Sequence, residues 1–226
     1  MNRIATTACV LLTLATLASE GNAAEKASTT VPPAAAGAVP AGAYTLDKAH
    51  ASLLFRVDHL GFSHFTARFT RFDAQLQFDP AKPETSSVKV TIDPRSMDSD
   101  NAPAGFMDML RGAQWLEAAK FPDMTFTSKK VTSTGPHALR IQGDLTLHGV
   151  TRPMTLNATY NGGYVGHPMD PHARVGFSAQ GSLKRSDFGI SLGIPAPGTT
   201  MGVGDAVNVI IEAELSGPAW AGAPAQ

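Results

Sequence analysis

Residues 141–160, IQGDLTLHGVTRPMTLNATY, alternate apolar and polar side chains on both sides of His148-Gly149. Leu139, Ile141, Leu145 and Leu147 stand at even spacings before that dipeptide, and Met154, Leu156, Ala158 and Tyr160 do so after it. Successive side chains of a strand point to opposite faces, so period-two patterning builds one apolar face. Two such runs joined by a Gly-bearing connection predict a β-hairpin.

The same grammar recurs through the chain. Leu53, Phe55 and Val57 share a face opposite Ser52, Leu54, Arg56 and Asp58, and Phe65, Ala67 and Phe69 alternate with Thr66, Arg68 and Thr70. Leu76 and Phe78 precede the Asp79-Pro80 stop, and Val88, Val90 and Ile92 alternate with Lys89, Thr91 and Asp93. Met124 and Phe126 lead into Lys129-Lys130-Val131, before the hairpin. Val175, Phe177, Ala179 and Leu183 come next, and Val207, Val209, Ile211 and Ala213 close the series. Between Met97 and Lys120 the period changes. Phe106, Met109 and Leu110 fit one helical face, with Pro103 suited to a first turn, Gly112 to the exit, and Trp115-Leu116 opening a second short turn. The fold class is all-β, with about eight antiparallel strands and one short helical insertion. Such strands stack as a sandwich or close into a barrel, and periodicity leaves both open.

The ends read differently. Arg3, the uncharged run Ile4 to Ser19 and the small residues around Ala24 have the layout of a secretory signal peptide, expected to span 1–24. That predicts a periplasmic or secreted protein. Residues 25–43, rich in Ala and Pro, read as a flexible linker, 44–216 as the folded domain, and 217–226 as a flexible tail. The only cysteine, Cys9, falls within the signal segment, so the mature chain is expected to lack disulfides and thiolate chemistry. With a formal net charge of -1 and no basic block, the chain offers nothing to neutralise phosphates, and no nucleic-acid partner is expected.

Six blocks in order resemble the YceI-like family: YTLDKAH (44–50), LFRVDHLGFSHFTARF (54–69), QFDP (77–80), MLRGAQWLEAAKFPDMTF (109–126), GDLTLHGVTRPMTL (143–156) and KRSDFGI (184–190). The resemblance implies a single eight-stranded, lipocalin-like antiparallel barrel with a long apolar interior. It also implies non-enzymatic binding of an isoprenoid lipid, either a quinone or a polyprenyl phosphate, with fatty-acid-derived ligands also considered. Homodimers are common in the family, and transient membrane contact is expected of such a carrier. The chain departs from the family pattern at Met107–Arg111 and at an enlarged loop, Tyr164 to His172.

An eight-stranded barrel either fills with side chains or holds one slender ligand. Small residues on the apolar faces, Ala67, Ala158, Ala179, Gly181 and Ala213, are expected to leave room. Phe55, Val57, Phe65, Phe69, Phe126 and Phe177 are candidates for lining that space, with plain core packing as the alternative. Phe106, Met109 and Leu110 are candidates for a helical lid at the mouth. Arg185 reads either as a head-group contact or as the ion-pair partner of Asp187 in a turn closed by Ser186 or Asp187.

Other constellations carry less. His59–His64 and His167–His172 lack the spacing that puts two imidazoles on one helical face, although the second pair, with Met169 and Asp170, has copper- or zinc-binding residue types. Asp47 and His50 are half of a hydrolytic triad, but no G-x-S-x-G elbow or phosphate-cradling loop occurs. No metal, cofactor or catalytic residue is therefore expected. The alternatives to an isoprenoid carrier are a fatty-acid or fatty-amide binder, a lipid-processing hydrolase, and a barrel filled by its own side chains.

Overall fold

The alternation in the sequence becomes a sheet whose two ends meet. A computed structural model describes residues 39–166 and 168–220. The strands are β1 (Gly42–His59), β2 (Ser63–Phe69), β3 (Phe72–Phe78), β4 (Ser87–Ile92), β5 (Met97–Asp98), β6 (Met124–Ser133), β7 (Ala138–Leu147), β8 (Val150–Tyr164), β9 (His172–Lys184) and β10 (Val203–Ala219). A single α-helix, α1 (Phe106–Arg111), follows β5. The order β10-β9-β8-β7-β6-β4-β3-β1 returns on itself through β10–β1 pairing, so eight strands form a closed antiparallel barrel. That pairing runs from Thr45↔Ser216 to His59↔Val203. Of the two architectures open to the sequence, the chain adopts the barrel.

The hairpin predicted at His148-Gly149 is present. Leu147 pairs with Val150, and the two turn residues take φ of 52° and 73°. Positive φ at both central positions is the type I′ geometry whose twist matches that of the flanking strands. A Cβ on Gly149 would run into the Phe121 ring, so glycine there serves packing as well as turn geometry.

The domain reaches slightly beyond its expected limits. Gly42↔Phe78 and Ala219↔His172 extend the ladder past 44 and 216. Val39 is buried and Tyr44 Oη donates to Pro40 O, because these residues cap one end of the barrel. The signal segment, most of the linker and residues 221–226 lie outside the described residues. Pro103 precedes the helix and does not enter it: Gly105 is the N-cap, with φ of 78°. Trp115-Leu116 forms turns without a second helix.

One end of the barrel is packed with rings. Phe78 meets Tyr160 at 5.2 Å and Phe177 at 5.3 Å, and Tyr44 meets Phe78 edge-on at 6.3 Å. Ala173, Val175 and Leu215 complete this floor. Burial, helped by the nearby Tyr160, pushes the Tyr44 hydroxyl up to about 12.

The opposite end carries the insertion between β4 and β6. Its root is Asp93, which caps the turn Pro94–Ser96 and binds Arg95 at 2.8 Å and Arg71 at 2.9 Å. Arg95, with help from Arg71, holds the Asp93 carboxyl down at about 2 against the opposing cost of burial. A carboxyl depressed in the folded state stabilises above its unfolded pKa of about 4 and loses that contribution as pH falls. Urea midpoints measured from pH 5 to pH 2 should therefore fall less steeply for Asp93→Asn than for the native chain across about pH 4 to 2. Parallel curves would show that this clasp does not act.

Candidate functional site

Above the aromatic floor the barrel is hollow. The cavity has a volume of about 800 Å³ and runs from Leu46 and Ala74, deep in the barrel, to His59, Ser63, His64, Asn101 and Pro103 at its mouth. A barrel filled by its own side chains is thereby contradicted. Of the residues expected to line it, Phe55, Val57, Phe65, Phe69, Phe106, Met109, Leu110, Phe126 and Arg185 all do. Phe55 stacks near Phe69 at 5.6 Å, and Phe65 meets Phe106 edge-on at 5.7 Å, tying α1 to β2. Leu110 is buried against Ala67 and Met97, whereas Met109 is half exposed.

Phe177 lies elsewhere. It belongs to the floor, packed on Tyr160 at 5.3 Å and on Phe78, because its register opposite Tyr160 and Ala213 sets it low in the barrel. The small residues divide as well. Ala213 lines the cavity, while the space at Gly181 is taken by Leu156 and Met154. Residues not singled out from the sequence supply much of the wall: Leu53, Ile92, Met124, Leu145, Leu156 and Ile211. Their alternation marked them as inward-facing, with no signal of whether they met a void. Trp115 and Leu116 also line it, and nothing periodic marks them.

Arg185 is almost fully buried and spends its donors on backbone. Nε donates to Gly204 O at 2.9 Å, Nη1 to Ile190 O and Leu192 O at 3.0 and 2.9 Å, and Nη2 to Val203 O at 2.7 Å. The guanidinium also lies 5.2 Å from the Trp115 ring. Burial lowers its pKa, opposed by Asp205, which accepts from Ser186 N and Oγ and not from the guanidinium. The side chain therefore gathers both ends of segment 190–204 and braces the insertion, a structural use, but through backbone carbonyls and not through the expected pair with Asp187. The turn at Ser186 is held by Asp205 in place of Asp187.

The mouth is weakly polar. Ser99 Oγ donates to Thr66 O, and Arg68 pairs with Asp98 at 2.7 Å and Asp100 at 3.3 Å. Among the described residues, no serine–imidazole hydrogen bond joins Ser63 or Ser99 to His59 or His64. Asp47 and His50 lie 2.8 Å apart, with Glu214 near enough to share a cation. Arg174 already bonds Asp47 and Glu214 as well as Asp170, and these contacts hold the Asp47 carboxyl well below the usual carboxylate range. His167 lies outside the described residues, so the His167–His172 pair is not placed.

A YceI-like domain is recognised over residues 44–215. The chain belongs to the YceI-like family. It is 40% identical over 159 residues to a UPF0312 protein of Vibrio cholerae, covering 69% of this chain and 81% of that one. A UPF0312 protein of Pseudomonas putida is 38% identical over 169 residues, covering 73% and 83%. Among solved structures, Burkholderia cenocepacia BcnA superposes with a TM-score of 0.64 at 25% identity, over 75% of this chain and 98% of that one. The Campylobacter jejuni YceI protein does so at 0.59 and 33%, over 77% and 98%. A polyisoprenoid binding domain from Saccharophagus degradans, at 0.53 and 17% over 78% and 99%, shares the fold.

In this YceI-like barrel, a buried cation held by four carbonyls is expensive to disturb. Arg185→Met keeps the side-chain length and orphans those acceptors. It should lower unfolding free energy by about 3 kcal/mol in a denaturant titration, and a loss below about 1 kcal/mol would show that water replaces the guanidinium freely.

Proposed function

We propose that this YceI-like protein carries or sequesters a long isoprenoid lipid, a quinone or polyprenyl phosphate, with its tail in the barrel and its polar head at the mouth. The observation that carries this reading is the cavity itself: about 800 Å³, apolar along its walls, floored by aromatic rings and open at one end. An apolar chain buried there gains about 25 cal/mol for each Å² removed from water. A few hundred Å² supplies a gross gain on the order of 10 kcal/mol before the cost of ordering the chain. A single mouth suits a molecule with one polar end. The cavity calls for an apolar chain, and the choice of an isoprenoid rests on membership of the YceI-like family, with the Saccharophagus degradans domain named for polyisoprenoid binding as an analogy.

The reading is non-enzymatic. A hydrolase acting on lipid esters or amides needs a nucleophile, base and orienting group in contact, and the mouth supplies hydroxyls and imidazoles that do not bond one another. Export to the periplasm, read from residues 1–24, belongs to the same proposal; a periplasmic protein that retains Met1 would contradict it.

The test is fluorescence-competition binding of an all-trans polyprenol to the native chain and to Ala213→Phe. The native chain should bind one polyprenol per barrel. The variant places a ring in the channel and should bind more than about tenfold more weakly, since some 100 Å² of lost apolar contact is worth about 2.5 kcal/mol. Saturable binding of fatty acids with no response to polyprenol would overturn the ligand class.

A further inference from the structure

Among the described residues, six large apolar side chains stand clearly exposed, and four of them, Phe62, Met109, Leu192 and Met201, sit at the mouth end. Phe62 and Met201 are the most exposed of those four, at 81% and 67%. Their chain neighbours form the lip of the cavity: Ser63 and His64 follow Phe62, and Val203 lies just after Met201.

The two loops bearing them are joined by backbone hydrogen bonding. Leu60 N donates to Gly202 O at 2.8 Å, and Phe62 N donates to His59 O at 3.1 Å. Gly61 N donates to Asp58 Oδ1 at 3.0 Å, and Val203 N donates to Gly193 O at 2.7 Å. Thr200 packs so tightly on Gly61 that a Cβ there would approach its Oγ1 to 2.8 Å. Leu60, a bulky residue, is held at φ of 62° and Gly61 at 71°. Two successive positive φ values, as at His148-Gly149, make the tight reversal from β1 to β2, and Phe62 follows it directly.

Charge separates this part of the rim from the rest. Residues 59–67 contain no Lys, Arg, Asp or Glu, and neither do residues 188–204. The facing side of the mouth, by contrast, carries Arg68, Asp98, Asp100, Asp108 and Arg111. A surface that enters the interfacial region of a bilayer must avoid desolvating ions, and amphipathic aromatic and Met side chains are its usual contacts.

We propose that the joined loops 59–63 and 199–202 form a membrane-docking tip that seats the cavity mouth on a lipid bilayer, with Phe62 and Met201 inserted among the acyl chains. The occupant is a lipid surface and not a protein, because the tip exposes apolar side chains, carries no charged side chain beyond Asp58 at its base, and is continuous with the opening through which an apolar chain must pass. This rests on the lipid-carrier reading for its purpose, though not for its test. Without fixed positive charge at the tip, docking depends on apolar insertion, so it persists at high salt and does not require anionic lipid.

The experiment is flotation of the protein with pure phosphatidylcholine vesicles, at low and high salt, for the native chain and for Phe62→Ser/Met201→Ser. Loading with polyprenol added from ethanol, without vesicles, is measured in parallel. Both replaced side chains are exposed and neither lines the cavity, so the variant should fold and load polyprenol like the native chain. Its vesicle partitioning should drop at least tenfold, and native partitioning should change less than twofold with salt. Equal partitioning of the two proteins, or a native chain that stays with the aqueous fraction, overturns the docking tip. If neither protein loads polyprenol while the native chain still floats and the variant does not, the carrier reading fails and the docking tip stands.

Discussion

Everything in this molecule depends on β10 returning to pair with β1. An open sheet of these strands would leave two rows of unpaired N–H and C=O groups, and its inner face would have no opposite wall. Closure removes the edges and converts an apolar face into an apolar enclosure. Strand β1 makes this feasible because it is 18 residues long. One edge pairs with β3 near its start and β2 near its end, while the other meets β10 from Thr45 to His59.

A closed barrel of eight strands is narrow enough that a few side chains decide whether it is solid or hollow. At the floor, four large rings and Val175 fill the cross-section. Higher up, Val209, Ile211, Leu145 and Leu156 line the void together with Phe55, Phe69 and Phe126. The mouth is shaped by two segments that leave the sheet, the α1 insertion and residues 185–202. Arg185 holds them in place, donating to the Ile190 and Leu192 carbonyls of the second segment and the Val203 and Gly204 carbonyls at the start of β10, with the Trp115 ring of the insertion beside it. A buried charge beside an apolar cavity is costly, and here full hydrogen bonding to backbone offsets that cost. Phe121, packed against His148 at 4.8 Å, secures the far end of the insertion. The mouth is thus built on fixed supports.

Strands, the His148-Gly149 turn and the helix at Phe106 were legible in the sequence because each depends on neighbours within a few residues. Period two states which residues face inward and does so correctly for Phe55, Val57, Phe126 and Phe177 alike. It does not state height. Phe126 reaches the void and Phe177 joins the floor because of strand stagger, which is set by pairings as distant as Phe177 with Ala213 and Tyr160. Arg185 was ambiguous for the same reason, since its acceptors at Val203 and Gly204 are remote in sequence. Trp115 and Leu116 escaped because turns carry no period. Family blocks resolved sandwich against barrel, where local patterning was silent.

The central claim is that the hollow holds one isoprenoid chain. The most direct test is native mass spectrometry of the protein isolated gently from its native cells, followed by organic extraction and lipid mass analysis. The account predicts one adduct per chain, released by solvent and identified as a prenylated quinone or polyprenyl phosphate. A folded protein that carries no lipid, and that stays empty when such lipids are supplied during isolation, would contradict it.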